Sequence, residues 1–341
     1  MNLARATDSP VIPVILLFGP TASGKTAILE ALFAGNGAPI SAEVVSADSM
    51  QVYRGMDIGT AKPSKDLQAR LPHHLIDICD IKEQFTVGDF VRHADRACVD
   101  IYSRGKIPVV SGGTGFYLKN FVLGLPAAPP SDLLIRDTLK KEFATGGIEP
   151  LLKELRSVDP VSAQRIHPND TYRLLRALEV YRLTGKPLSS YPPSGTSGHE
   201  DSAERPKYRF LLIGIQRDRE ELYERINHRT RDMFLQGLAA EVKSLVEKGY
   251  TREDPGMRAI GYQEFFLENG QFATDLEAVE TLIARNSRRY AKRQITFFAS
   301  LPEVHWIPGE PDAELPSRVL DHIIKFIAGE FHKEAPQYHP S

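Results

Sequence analysis

One segment constrains this chain more than any other: Gly19-Pro20-Thr21-Ala22-Ser23-Gly24-Lys25-Thr26. It fits the pattern G-x-x-x-x-G-K-[ST], and its surroundings are the required ones. The continuous apolar run 14–18 comes before it, as expected of a buried parallel strand, and a helical pattern through Ala27, Leu29 and Leu32 follows. The glycines let backbone amides curl around an anion, and the helix N-terminus adds its positive end. Lys25 can neutralise a terminal phosphate, and Thr26 can ligate a phosphate-bound Mg²⁺. Such a loop identifies a polyphosphate ligand, not a reaction.

Further strand candidates lie at 43–46, 74–78, 108–111, 208–215 and 304–307, with helix-like stretches such as 90–103 between most of them. Alternation of this kind predicts a doubly wound α/β core with a parallel sheet, as in P-loop NTPases. The alternation breaks after Leu125, where Pro126, Pro129 and Pro130 end one element. From 131 to 182 the pattern is helical. Leu174, Leu175, Leu178 and Tyr181 line one side of a helix with Asn169-Asp170 at its cap and Gly185 with Pro187 at its stop. Residues 188–205 are rich in Ser, Pro and Gly and read as a loop. Long helices are predicted over 218–248 and 275–298. The simplest division is a core from 1–127 and 206–330, interrupted by a mainly helical insertion at 128–205.

Composition excludes several classes. No apolar run approaches the roughly 18 residues needed to cross a bilayer, and the opening Met1–Pro10 is not laid out as a signal peptide. Two cysteines, Cys79 and Cys98, cannot build a four-cysteine zinc site, and a reducing, cytoplasmic setting is expected. Net charge is −2, which argues mildly against a nucleic-acid binder until the position of the charge is considered. A monomer is the default expectation.

A P-loop NTPase commonly holds Mg²⁺ with an acid that ends a nearby strand. The run 108–111 ends in Gly112-Gly113-Thr114-Gly115 instead. The run 43–46 does end near an acid, Asp48, which spacing alone assigns equally to the phosphate site or to a turn.

Several blocks then match one family. Val45-Ser-Ala-Asp-Ser-Met-Gln-Val-Tyr53 and Gly55-Met-Asp-Ile-Gly-Thr-Ala-Lys-Pro63 resemble the signature of tRNA dimethylallyltransferases. So do Pro72-His-His-Leu-Ile-Asp77, Gly112-Gly-Thr-Gly-Phe-Tyr-Leu118, and His167-Pro-Asn-Asp170 leading to Arg173 and Arg176. Ala259-Ile-Gly-Tyr262 and Ala291-Lys-Arg-Gln-Ile-Thr296 complete a series in the family's order, over about residues 14–307. The resemblance implies transfer of a dimethylallyl group from its diphosphate to N6 of the adenosine 3′ of the anticodon (position 37), with release of diphosphate. The P-loop, Lys25, Thr26 and Mg²⁺ would hold the leaving group. Asp48 would be the general base, and Thr114 would hydrogen-bond near the reacting centre.

The same resemblance implies tRNA contacts at Asp48, Ser49, Met50 and Gln51, at Thr114 and Arg136, at Tyr172, Arg173, Leu174, Leu175 and Arg176, and at Arg258, Ala259, Ile260, Gly261, Tyr262 and Gln263. Gln263 stands where the family is commonly basic, and Phe297 where tryptophan is frequent. With two cysteines, both before residue 100, the zinc finger of eukaryotic members is not expected, and the chain resembles the bacterial form. Independently of the resemblance, Arg285, Arg288, Arg289, Lys292 and Arg293 follow i, i+3, i+4, i+7, i+8 on one helix face with no acid between them. Such a stripe suits RNA or diphosphate, against the alternative of a solvated face. Arg165, Arg173, Arg176 and Arg182 form a second basic cluster. Three other readings remain at this stage: a small-molecule P-loop kinase, an enzyme prenylating free adenine nucleotides, and a non-catalytic RNA-binding module.

Overall fold

A computed structural model describes residues 10–330 apart from residue 36, residues 192–204 and residues 268–269. Six strands, β1 (Ile12–Phe18), β2 (Ala42–Ser46), β3 (His73–His74), β4 (Ile107–Gly112), β5 (Tyr208–Gln216) and β6 (Val304–Pro308), form one sheet in the order β3-β2-β4-β1-β5-β6. Every pairing is parallel. The helices are α1 (Lys25–Phe33), α2 (Lys65–Arg70), α3 (Val87–Ser103), α4 (Gly115–Leu123), α5 (Leu133–Gly146), α6 (Glu149–Val158), α7 (Pro160–Arg165), α8 (Thr171–Thr184), α9 (Arg219–Leu235), α10 (Leu238–Glu247), α11 (Leu276–Phe298) and α12 (Leu315–Ala328). None of the described helices is long and apolar enough to cross a membrane. Both cysteines are buried free thiols.

The chain divides into two compact units, Leu123–Ala203 and the remainder. In the larger unit β1 is apolar on both faces because both are covered. Val14, Leu16 and Phe18 join α3 and α4 on one side, while Ile15 and Leu17 join α1 and α12 on the other. A third core gathers Tyr53 and Met56 with α9, α10, α11 and the stretch around Tyr262. The smaller unit is helical. Leu139, Leu155, Leu174 and Leu178 form its centre, and α8 is capped by Asp170, whose side chain accepts the Arg173 amide, and closed by Gly185 at φ 71°.

Two elements differ from their sequence expectations. The strand expected at 74–78 stops after His74, because Leu75 and Asp77 take positive φ (64° and 57°) and turn the chain out of the ladder. The helix expected over 218–248 is two helices, broken at Gly237, whose φ of 100° ends one and starts the other. The Ser/Pro/Gly-rich loop falls mostly outside the described residues, as do residues 331–341.

Candidate active site

Sheet order places the site. β2, β4 and β1 are neighbours, so the segments leaving their C-terminal ends converge: Asp48 after β2, Gly113 and Thr114 after β4, and the P-loop after β1. Close approach is built in, since a Cβ on Gly112 would lie 2.2 Å from the Ala47 carbonyl oxygen. Thr114 ties two of the three segments together. Its Oγ1 accepts the Ser49 amide at 3.0 Å and its own amide donates to the Ala47 carbonyl.

The P-loop curls as the sequence requires, with Gly24 at φ 98° capping α1. Lys25 Nζ donates to the carbonyls of Gly19 and Pro20 at 2.9 Å each. Burial, with the positive charge of Arg229, lowers its pKa to about 7, against the opposing pull of Asp48. Arg229 is likewise shifted down by burial, with Asp48 opposing. Asp48 Oδ1 accepts the amides of Met50 and Gln51 at 2.9 and 3.3 Å, so the turn role that spacing allowed is real. No hydrogen bond from the described residues reaches its Oδ2. Asp48 therefore anchors its turn with one oxygen and keeps the other for the cavity.

Two cavities meet here. One, of about 450 Å³, is lined by P-loop residues, Asp48 and Arg229. The other, of about 340 Å³, is lined by Ser49, Met50, Arg258, Ala259, Ile260 and Gln263 among others. Thr21, Asp48, Arg229 and Tyr290 border both. Tyr290 contacts the side chains of Thr114 and Gln294, and burial, followed by Asp48, raises its phenol to about 12.

The chain carries the IPP transferase family pattern over residues 51–301. It is 45% identical to tRNA dimethylallyltransferase 2 of Geotalea uraniireducens, over 93% of this chain and 98% of that one. The chain belongs to the IPP transferase family. Among solved structures it resembles the tRNA isopentenylpyrophosphate transferase of Staphylococcus epidermidis at 36% identity, TM-score 0.62, covering 94% of this chain and 100% of that one. It also resembles a eukaryotic dimethylallyltransferase captured acting on tRNA, at 25% identity, TM-score 0.74, covering 95% and 82%.

Within this IPP transferase the other expected residues take separate positions. Ser49, Met50, Arg258, Ala259, Ile260 and Gln263 border the second cavity together. Gln51 borders the first, with its amide bridging Ser46 and the carbonyls of Thr60 and Ala61. Tyr262 is wholly buried, donates to Glu241 Oε1 at 2.6 Å and lies under Gly59, so it supports this wall from behind. Gly261, at φ 101°, gives its amide to Glu264. On α11, Arg285, Arg289, Lys292 and Arg293 are exposed, whereas Arg288 is half-buried and donates to Asn227.

In the helical unit, Leu174 and Leu175 are core residues, leaving Tyr172 and Arg173 as the solvent-facing side chains of that run. The Arg136 guanidinium lies 4.6 Å from the centre of the Tyr172 ring. The wholly buried Glu179 carboxylate accepts from Arg136 at 2.9 Å and sits 3.2 Å from Arg176. Arg182 is held by Glu142 and Glu154, which makes it a structural brace rather than a free cation.

Sequence reasoning missed Arg229 and Gln294. Gln294 joins the site's parts: its Oε1 accepts the Thr21 amide at 2.9 Å and its Nε2 donates to the Gly113 carbonyl at 2.8 Å. Arg229 carries no distinguishing signal: it stands at i, i+4 from Arg225 on α9, a helix whose four arginines are matched by four acids.

Proposed function

We propose that this protein transfers the dimethylallyl group of dimethylallyl diphosphate to N6 of the adenosine 3′ of the anticodon in tRNA and releases diphosphate. The observation that carries this reading is the meeting of two cavities at Asp48: one is phosphate-binding in character, and the other is bordered by the segments expected to touch RNA. The P-loop amides, Lys25 and Arg229 hold the diphosphate, and their charge stabilises the electron pair that leaves with the breaking C–O bond. The allylic carbon becomes cationic, and Ile226, Met233, Ile260 and Ile283 in the second cavity keep water from it. N6 of adenine forms the new C–N bond, and its surplus proton passes to Asp48 Oδ2. Tyr290 stays protonated and, with Thr114, hydrogen-bonds beside the reacting atoms.

Thr26 supplies a hard oxygen donor to the first cavity. The described residues assemble no cluster of three acidic, His or Cys ligands. That donor set fits Mg²⁺ completed by diphosphate oxygens and water. When bound, the ion adds charge neutralisation to the departing diphosphate.

The target adenine must be splayed from its loop to reach Asp48. The α11 stripe and, in the helical unit, Arg136, Tyr172 and Arg173 supply the cationic and stacking surface for the RNA. The protein acts in the cytoplasm as a monomer. A kinase reading is disfavoured by the end of β4, where Ser111 donates to the Leu17 carbonyl and Gly112 follows, with no carboxylate to hold a nucleotide's metal.

The test is transfer of labelled dimethylallyl from its diphosphate, with Mg²⁺, to unmodified tRNA and to AMP in parallel. Label is expected in tRNA and lost when the adenosine 3′ of the anticodon is changed. Label in AMP alone would make the protein a free-nucleotide enzyme. Label in neither, with ATP turnover, would make it a kinase.

A further inference from the structure

The inner face of the P-loop lines the first cavity, and its outer face is gripped by residues that touch no reacting atom. Arg225 Nε donates to the Ala22 carbonyl and Arg217 Nε to the Ser23 carbonyl, each at 2.9 Å. The two guanidinium groups then converge on one carboxylate from the segment after β6. Arg225 reaches Asp312 Oδ2 at 2.8 Å, and Arg217 binds Oδ1. Glu221 takes a second bond from each arginine. The Arg217 side chain is fully buried. Two glycines make room for it: a Cβ on Gly24 would lie 3.2 Å from its terminal nitrogen, and one on Gly309 only 2.6 Å from its Cγ.

The geometry has a consequence for the anion. In a trans peptide the carbonyl of one residue and the amide of the next point in opposite directions. Arg217 holds the Ser23 carbonyl outward, so the Gly24 N–H is turned the other way, toward the cavity. Ala22 sits at φ 63°, a left-handed conformation that a residue with a Cβ resists, and the Arg225 bond to its carbonyl holds it there.

We propose that Asp312 is a positioning residue for the diphosphate: by holding Arg217 and Arg225 against the outer face of the P-loop, it sets the loop's amides toward the anion before the anion arrives. This rests on the reading of the P-loop cavity as the diphosphate site. Arg217 is fully buried outside the cavity and acts as a strut only, whereas Arg225 also borders the cavity. Lacking that hold, part of the binding energy would go to ordering the loop.

The experiment measures binding of inorganic diphosphate with Mg²⁺ to the full chain by calorimetry, and transfer kinetics, for wild type, Asp312→Asn and Asp312→Glu. Asp312→Asn is expected to weaken diphosphate binding about tenfold, the usual scale for one charge-assisted hydrogen bond. It should raise KM for dimethylallyl diphosphate by a similar factor, leaving kcat and the tRNA Kd within about twofold, and Asp312→Glu should recover most of the loss. Amide hydrogen exchange over residues 22–26 should quicken in Asp312→Asn while α12 and the sheet stay protected. Arg225→Met should lose little more when combined with Asp312→Asn, since the two act through one connection. Unchanged or tighter diphosphate binding, fully additive losses, or quickened exchange across the whole sheet would overturn the proposal. Should wild type bind diphosphate yet transfer nothing to tRNA, the functional reading fails, and the calorimetry still decides the role of Asp312.

Discussion

Gln294 on α11 accepts the amide hydrogen of Thr21 at 2.9 Å across 273 residues of sequence. Its other side-chain atom donates to Gly113, so one buried amide closes the P-loop against the turn after β4. Gln294→Leu leaves the Thr21 N–H and the Gly113 carbonyl without partners, at about 1–3 kcal/mol each. The urea midpoint should fall and transfer should fall with it; stability within about 0.5 kcal/mol of wild type would mean that the two segments hold each other unaided.

Asp48→Asn separates the two roles of that carboxyl. Asparagine still offers Oδ1 to the Met50 and Gln51 amides, so the turn survives, but nothing remains to take the N6 proton. Transfer should drop by about 10²-fold or more, with tRNA affinity nearly unchanged. Single-turnover transfer at the wild-type rate would remove Asp48 as the base.

Lys25 gives a pH signature. Burial holds its pKa near about 7, so at pH 8 the free enzyme carries it mostly neutral and at pH 6 mostly charged. An anion beside it favours the ammonium and raises the pKa. Diphosphate binding should therefore take up close to one proton more at pH 8 than at pH 6, read by calorimetry in buffers of different ionisation enthalpy. Lys25→Arg, permanently charged, should leave only the part of the difference that comes from the ionisation of diphosphate itself. Equal uptake at both pH values in wild type would place the ligand elsewhere.

Gly59 leaves no room for a side chain, because a Cβ there would stand 2.5 Å from Cε2 of the buried Tyr262 ring. That ring is fixed by its hydroxyl on Glu241, which also accepts the amides of Asp57, Ile58 and Gly59. Gly59→Ala should cost about 1–3 kcal/mol in overpacking and weaken tRNA use while sparing diphosphate binding. A thermal shift paired with diphosphate calorimetry distinguishes the two effects; undiminished stability would show that Tyr262 can yield.

The stripe on α11 can be weighed by salt. Replacing Arg289, Lys292 and Arg293 with Gln should flatten the slope of log K against log[salt] for tRNA by about 2, at about 0.7 for each single-strand phosphate no longer neutralised. An unchanged slope would return these residues to the status of a solvated face.

The phosphate loop was legible because strand, glycines, lysine and helix are contiguous, and the parallel sheet because β1, β4 and β5 carry apolar runs. Asp48 could be located but not assigned by spacing, since the turn and the cavity use different oxygens of one carboxyl. Arg229 could not be found, because its place depends on α9 packing beside α11, and α9 holds four arginines among four acids. Arg182 misled for the converse reason: its acids, Glu142 and Glu154, are distant in sequence. The short β3 was overextended because Leu75 and Ile76 look like strand residues, while the positive φ at Leu75 comes from the tertiary turn.

β1 runs between β4 and β5, and its partners on the β5 side, such as Tyr208 opposite Ile12, come only after the helical unit in the chain. During synthesis, then, the most apolar strand of the protein has one edge paired early and the other left open until the entire insertion has emerged from the ribosome. Slower translation through residues 123–203 would lengthen that exposure and raise the yield of aggregate, without altering the structure of the molecules that finish folding.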